Sequence, residues 1–264
     1  MPEKEQFDKL RDGTGTREWA EVNENICLGC SNNCRYCYAA ANAKRFKTKP
    51  RNEWHIEELT KRADMTSYPA KHGIVMFPSS HDITPFNLDA CIKVLTLILD
   101  KGNQVLIVTK PSLKCMPRLL NDLKAYRDQI LFRFTIGSMN DEVSKFWEPG
   151  APLPKERVRC LADAKAAGFL TSVSMEPMLD GVLDALAVLD AVKPFVTETI
   201  WIGKMNKPRL RVDMSDPTVE AAVSVIERKQ SDPEIWGMVC HLSCEPKVRW
   251  KDSIKSVIAI LKGT

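Results

Sequence analysis

Three cysteines in one short segment are the residues whose type and spacing point most directly to chemistry. Cys30, Cys34 and Cys37 form a C-x3-C-x2-C pattern within ICLGCSNNCRYCYAA. Thiolates this close on a loop can converge on one metal centre, and three of them leave one iron of a cubane cluster open to another ligand. The spacing therefore predicts a [4Fe–4S] cluster of the catalytic kind, held by these three residues.

The remaining cysteines leave alternatives open. Cys27 lies three residues before the motif, so a structural zinc ion or a closed four-cysteine cluster is an alternative, although zinc ligands usually come as two well separated pairs. Cys240 and Cys244, with His241 between them, could join an auxiliary cluster or donate a thiol hydrogen. The other three lie among apolar neighbours and are expected to be buried structural thiols: Cys91, Cys115 and Cys160.

Short apolar runs alternate with amphipathic stretches of helical length from residue 20 onward. Near-continuous Val, Ile, Leu and Phe runs are typical of strands buried on both faces of a parallel sheet. The predicted strands are residues 21–27, 73–77, 104–108, 130–135, 171–175 and 199–203. The predicted helices are residues 34–46, 88–101, 112–126, 155–167, 183–193 and about 252–261. Such a repeat predicts an α/β fold, either a βα barrel or an open doubly wound sheet.

Polar side chains follow directly after these predicted strands. SSHD (79–82), TK (109–110), SMEP (174–177) and GKMN (203–206) all stand at carboxyl ends of apolar runs. In a parallel barrel those ends meet at one rim, where active sites are built. We therefore expect a polar cavity there, into which the cysteine loop also leads.

The motif CSNNCRYC, with Tyr36 before its third cysteine, resembles the signature of the radical S-adenosylmethionine (SAM) superfamily. Together with FPSSHDIT, LIVTKP and SVSMEPMLDG, the sequence is most similar to the spore photoproduct lyase-related group over roughly residues 20–205. The resemblance implies a partial (β/α)6 TIM-like barrel of the radical SAM type. It also implies that SAM binds the open iron and that one electron then splits it into methionine and a 5′-deoxyadenosyl radical, which abstracts a hydrogen atom from substrate.

The resemblance also assigns SAM contacts by position. Tyr36 would pack near the adenine, Ser79, Ser80 and Asp82 stand where many members bind the SAM amino group, and an ammonium at Lys110 suits the SAM carboxylate. Two further candidates are Arg133, inside a buried run, and Glu176, at a strand end; they could contact cofactor or substrate, or pair with each other. The Gly-Gly-Glu motif common in the superfamily is missing.

His81 could act as a general acid or be an ordinary loop histidine. In spore photoproduct lyase the hydrogen donor is expected to be a cysteine after the second strand. The stretch SSHDIT has none, which counts against thymine-dimer repair. No catalytic residue beyond the cofactor contacts is predicted.

Composition and charge bound the remaining possibilities. The chain has 264 residues, 44% hydrophobic and 27% charged, and lacks an apolar run long enough for a signal peptide or membrane span, so we expect a soluble cytoplasmic protein. We expect residues 1–19 to be an N-terminal extension, 20–205 the barrel, and 206–264 a segment that packs on the barrel without forming a separate domain. The oligomeric state is not predicted.

Two local basic stretches within a net charge of +4 could contact phosphates. They are Lys44, Arg45, Lys47, Lys49 and Arg51, and Lys204, Lys207, Arg209 and Arg211. The first hypothesis is therefore a radical SAM enzyme acting on nucleic acid or a nucleotide, with reduced flavodoxin or ferredoxin as the electron donor that the resemblance implies. A radical SAM enzyme acting on a peptide or small metabolite is the second hypothesis, and a non-enzymatic iron–sulfur or zinc module is the third.

Overall fold

The computed structural model describes residue 7 and residues 13–263, and its centre is one parallel sheet. The strands are β1 (Val22–Asn23), β2 (Cys27–Leu28), β3 (Glu58–Leu59), β4 (Ile74–Phe77), β5 (Gln104–Thr109), β6 (Ile130–Thr135), β7 (Leu170–Met175), β8 (Ile200–Ile202) and β9 (Val248–Trp250). Seven of them form the sheet in the order β1-β4-β5-β6-β7-β8-β9, every neighbouring pair parallel, while β2 and β3 form a separate antiparallel pair.

Helices connect the strands, and some of them cover one face of the sheet. They are α1 (Tyr38–Arg45), α2 (Leu88–Leu99), α3 (Met116–Asp122), α4 (Asp141–Trp147), α5 (Pro154–Ala166), α6 (Val182–Val192), α7 (Pro208–Arg211), α8 (Pro217–Lys229), α9 (Asp232–His241) and α10 (Asp252–Lys262). Apolar side chains of α2, α5 and α6 pack on alternate strand residues such as Val105 and Phe132 in the main core. The predicted α/β fold is confirmed, and with β1 and β9 at its two edges the sheet is a partial barrel.

Two predictions about the strands were wrong. The apolar run at 21–27 is not one strand: only Val22–Asn23 joins the main sheet, and Cys27–Leu28 turns away to pair with Glu58–Leu59. The less regular tail contributes a seventh strand, β9, which was not predicted because its apolar pattern is only three residues long. In that strand Val248 lies opposite Ile200 of β8.

The opposite, inner face of the sheet is closed partly by chain that precedes β1. A short 3₁₀ helix, Gly15–Glu18, brings Trp19 against the ring of Trp201 at a centroid distance of 5.9 Å. Ile74, Met76, Leu106 and Leu131 complete this inner cluster. The proposed division at residues 19/20 and 205/206 stays a prediction. Within residues 13–263, no helix is both long enough and apolar enough to cross a membrane.

Candidate active site

A cavity of about 460 Å³ opens at the carboxyl ends of the parallel strands, within the size range of small-molecule sites. It is lined by residues that follow β4, β5, β7 and β8, by the cysteine loop, and by inner-face side chains such as Met76 and Val108. The predicted site residues that line it are Cys30, Cys34, Tyr36, Cys37, Ser79, Ser80, Asp82, Lys110 and Glu176. The expected collection of polar groups at one rim is thus present.

The cysteine loop has its shape because the backbone passes very close to other segments. Gly29 has φ +94°, and a Cβ there would lie 2.1 Å from the carbonyl oxygen of Ile56. The Cys30 amide donates to the carbonyl of Trp54 at 2.7 Å. Beyond the loop, the Cys37 side chain accepts from the amide of Ala40 and caps α1, so that the helix begins at Tyr38 rather than at residue 34 as predicted.

A second contact holds the other side of the loop. A Cβ on Gly150 would lie 2.1 Å from the carbonyl oxygen of Ser31, and the Gly150 amide donates to the carbonyl of Asn32 at 3.1 Å. Arg51 donates to the side-chain oxygen of Asn33 and, at 3.0 Å, to the carbonyl of Cys34. One member of the first basic stretch therefore supports the loop from within the protein.

Asp82 links the cysteine loop to the end of β5. Its carboxylate accepts from the Asn32 amide at 2.8 Å, the Thr109 hydroxyl at 2.9 Å and the Lys110 backbone amide at 2.6 Å. The Lys110 ammonium lies 3.5 Å away, and the Cys30 thiol donates to the same carboxylate at 3.7 Å. Although burial opposes it, Lys110 and these hydrogen bonds lower the pKa of Asp82, so the pair is ionised.

The family model of the radical SAM superfamily matches residues 25–187, more than half of the 264-residue chain. The chain belongs to the radical SAM superfamily. The cofactors of this superfamily are a [4Fe–4S] cluster and SAM, as the sequence predicted.

Two proteins are similar to this radical SAM chain in sequence. It is 29% identical over 171 residues to the uncharacterized protein ORF301 of Acidianus two-tailed virus, covering 58% of this chain and 54% of that protein. It is 24% identical over 176 residues to the uncharacterized protein MJ0683 of Methanocaldococcus jannaschii, covering 65% of each. The chain thus spans between about half and two-thirds of these relatives.

The fold likeness is seen in a solved structure of spore photoproduct lyase complexed with dinucleoside spore photoproduct. The TM-score is 0.57 at 14% identity, over 92% of this chain and 78% of that one. At this identity the likeness supports the fold alone.

The donor set suits the cluster of a radical SAM protein. Burial raises the pKa of all three thiols, that of Cys34 to about 12, and the neighbouring thiols of the motif raise that of Cys30 further. Three thiolates therefore need compensating positive charge, which Lys110 supplies in part and iron would complete. Within the described ranges, no three His, Cys, Asp or Glu side chains are arranged to hold a single metal ion.

Tyr36 is held by a buried ion pair that the sequence analysis missed. Its hydroxyl donates to the carboxylate of Glu148, whose other oxygen binds Arg157 at 2.5 Å. Arg157 also donates to the carbonyls of Pro152 at 2.7 Å and Thr135 at 3.2 Å. The tyrosine between two cluster cysteines is thereby fixed to β6 and α5. Glu148 and Arg157 lie over a hundred residues from the motif, and no local signal marks them.

The side chain of Asn25 holds the SSHD turn (79–82) in place through hydrogen bonds. The Asn25 side-chain oxygen accepts from the amides of Ser79 and Ser80, both at 2.8 Å, and its amide nitrogen donates to the Ser79 hydroxyl at 2.8 Å. His81 is buried beneath the turn, where its Nε2 accepts from the Ile26 amide at 3.2 Å and its Nδ1 meets the Asp82 carbonyl at 3.0 Å. Burial lowers the pKa of His81, and because the His81 side chain also lines the cavity, its role as a general acid stays a prediction.

Glu176 lies in the cavity wall and belongs to an ion-pair network that also contains Glu18 and Lys251. Lys251, fully buried, lies 2.5 Å from Glu18 and 3.3 Å from Glu176, and its ammonium is 4.1 Å from the centre of the Trp19 ring. Burial raises the pKa of Glu176, and Lys251 opposes the rise.

Arg133 is not brought into the lining of the cavity. Its guanidinium lies inside the barrel, 4.8 Å from the Trp19 ring and 5.4 Å from Trp201, and its Nε donates to Ser172 at 2.9 Å. A cofactor contact by Arg133 stays a prediction that this placement does not support, and so does its pairing with Glu176, which is bound to Lys251 instead.

Two other cysteine alternatives lie apart from the cavity. Cys27 is buried in β2 and does not line it; burial and Glu57 raise its pKa to about 11. Cys240 and Cys244 are exposed at the end of α9. Cys91, Cys115 and Cys160 are fully buried, as predicted.

Proposed function

We propose that this protein cleaves SAM reductively at a [4Fe–4S] cluster bound by Cys30, Cys34 and Cys37, and abstracts a hydrogen atom from a substrate held at the mouth of the cavity. The observation that carries the proposal is the common cavity at the strand ends. The three thiols of the superfamily motif and the predicted SAM contacts other than Arg133 line it from four separate segments. The cluster and SAM, when bound, supply the 5′-deoxyadenosyl radical that removes the hydrogen atom.

The chain's own residues bind and orient SAM, and they exclude water from the cavity. Lys110 carries the positive charge for the SAM carboxylate, and Asp82 keeps the lysine ammonium at the cluster end of the cavity. Ser79 and Ser80, fixed by Asn25, present polar groups toward the SAM amino group. The buried ring of Tyr36, with the apolar side chains of the inner face, excludes water from the radical.

The test of SAM binding uses the electron paramagnetic resonance spectrum of the reduced, reconstituted cluster. SAM is expected to change the spectrum of the unaltered protein, and Lys110→Met is expected to need about tenfold more SAM for the same change. Lys114→Met is the matched control because that lysine is exposed and does not line the cavity. A spectrum of the unaltered protein that does not respond to SAM contradicts the proposal.

We propose nucleic acid or a nucleotide as the substrate class, and a peptide or small metabolite as the alternative. In the solved structure with the similar fold, spore photoproduct lyase is complexed with a dinucleoside. Lys44 and Arg45 in the last turn of α1 and Lys47 just after it are exposed cations, whereas Lys49 is buried against Glu58 at 2.7 Å. Replacing the three exposed residues with glutamine should therefore weaken turnover on an oligonucleotide, and a stimulation of SAM cleavage by peptides alone would favour the alternative.

The non-enzymatic alternative requires a fourth protein ligand. Cys27 is the nearest further cysteine in the sequence, but its thiol donates toward the carbonyls of Leu28 and Gly29, away from the cavity. A closed cluster or zinc site would lose its metal in Cys27→Ala.

The radical SAM superfamily needs an electron donor, and we propose reduced flavodoxin or ferredoxin for this chain.

A further inference from the structure

One wall of the cavity is made by residues 204–211, here named the rim segment. Lys204, Met205, Asn206 and Arg211 of this segment line the cavity. The segment is anchored from behind, because the Met205 amide donates to Gln230 at 2.8 Å and the Lys204 amide donates to the hydroxyl of Ser253 at 3.1 Å. It is therefore a built wall of the cavity and includes the whole of the second basic stretch.

The cations of the rim segment differ in what they contact. Lys204 binds Asp232 at 3.0 Å, and Arg209 binds Glu227 at 2.8 Å on the outer surface. Arg211 is half-buried and lines the cavity, yet no carboxylate pairs with it in the part of the chain that the structure describes. A half-buried guanidinium has five donors suited to an oxyanion, and bidentate Arg–phosphate pairing is among the strongest hydrogen-bonded pairs.

The carboxylates that share the cavity already have partners. Asp82 binds Lys110, and Glu176 binds Lys251. Asp252 accepts from the amide of Ser253 at 2.7 Å at the start of α10. Asp252 keeps its negative charge there, and Arg211 brings a positive charge that none of these carboxylates pairs with, so a negatively charged group of the substrate would complete the pairing.

The surroundings of Arg211 suit a nucleotide. Tyr38, with 39% of its surface exposed, also lines the cavity and lies within electrostatic reach of Arg211. An exposed aromatic ring and a cation that line the same cavity are the kinds of group by which proteins hold single-stranded nucleic acid.

We propose that Arg211 forms a phosphate subsite at the mouth of the cavity, which binds a phosphate ester of the substrate next to the Tyr38 ring. This inference rests on the proposed function, which it extends by naming the group that the protein recognises. A nucleic-acid strand and a free nucleotide carry the same phosphate chemistry, and the experiment distinguishes them.

The experiment measures binding of a fluorescein-labelled hexathymidylate to the reconstituted protein by fluorescence anisotropy over a range of salt concentrations. Arg211→Gln is expected to weaken binding by about tenfold. The plot of the logarithm of the association constant against log[salt] should also become less steep by roughly 0.7, the value for one phosphate contact on a single strand. Arg211→Lys should retain part of the affinity, since it keeps the charge but not the planar fork. Arg209→Gln is the matched control on the same segment, because Arg209 faces Glu227 outside the cavity, and should change both quantities little.

Competition identifies the source of the phosphate. Thymidine 5′-monophosphate that competes more strongly than thymidine supports a phosphate subsite for nucleotides, and competition only by unlabelled hexathymidylate supports one for a strand. Equal binding by Arg211→Gln and Arg209→Gln overturns the inference, as does displacement of the probe by thymidine as strong as that by its monophosphate, or no binding by the unaltered protein. The spectrum of the reduced cluster with SAM, measured on the unaltered protein, separately tests the proposed function, so failure of one does not imply failure of the other.

Discussion

The replacement Arg157→Met tests how the cysteine loop is held from behind. The Arg157 and Glu148 side chains are 1% and 0% exposed, and the methionine fills a similar volume without the charge. It leaves the Glu148 carboxylate buried with only the Tyr36 hydroxyl, and it leaves the Thr135 carbonyl without this donor. Breaking a buried pair by removing one partner costs about 3–5 kcal/mol. At roughly 2–4 °C per kcal/mol for a chain of this size, the melting temperature should fall by roughly 6–20 °C.

The assay is thermal unfolding of the reconstituted protein under anaerobic conditions, followed by far-UV circular dichroism, with iron content measured on the same samples. Arg159→Met on the same helix is the matched control, since that arginine is 71% exposed and its i,i+4 pair with Asp163 is worth about 0.3–0.5 kcal/mol. Iron content should fall with Arg157→Met because Tyr36 lies between two cluster ligands. Equal stability of the two variants would refute the reasoning that this pair anchors the loop.

Three further predictions concern the loop and the ends of the chain. Gly150→Ala should lower the iron bound after reconstitution, because its Cβ would lie 2.1 Å from the Ser31 carbonyl oxygen; Gly237→Ala, with nothing within 4 Å, should retain full iron. Lys251→Met should lower the free energy of unfolding by about 3–5 kcal/mol in denaturant titrations, since two carboxylates lose their buried partner, and a loss below about 1 kcal/mol would contradict this. Cys27→Ala should keep the iron content of the unaltered protein, because the thiol does not line the cavity; a loss of iron would instead favour a fourth ligand.

The strand-and-helix repeat could be predicted from the sequence where burial on both faces produces unbroken apolar runs. Residues 130–135 were predicted as a strand and are β6 without change, and β4, β5, β7 and β8 differ from the prediction only at their ends. Since polar residues cannot be placed inside such runs without cost, those that follow them mark the rim of the barrel. For that reason Asp82, Lys110 and Glu176 could be placed at one cavity before its geometry was known.

The parts that could not be predicted depend on contacts between distant segments. Glu148 and Arg157 meet Tyr36 across more than a hundred residues, and Lys251 meets Glu18 from the opposite end of the chain. Charged residues in such pairs have the same local pattern as solvated surface residues. Arg133 shows the converse: its position inside an apolar run suggested a site, but tryptophan rings surround it in the barrel interior.

We propose that Cys30, Cys34 and Cys37 hold a cluster that cleaves SAM in this cavity. The most direct measurement is the formation of 5′-deoxyadenosine from SAM by the anaerobically reconstituted, dithionite-reduced protein, followed by chromatography with Cys34→Ala as the control. The unaltered protein is expected to form 5′-deoxyadenosine in the presence of an oligonucleotide, and Cys34→Ala is expected to form none. No product from protein that carries a full cluster, or equal product from Cys34→Ala, would contradict it.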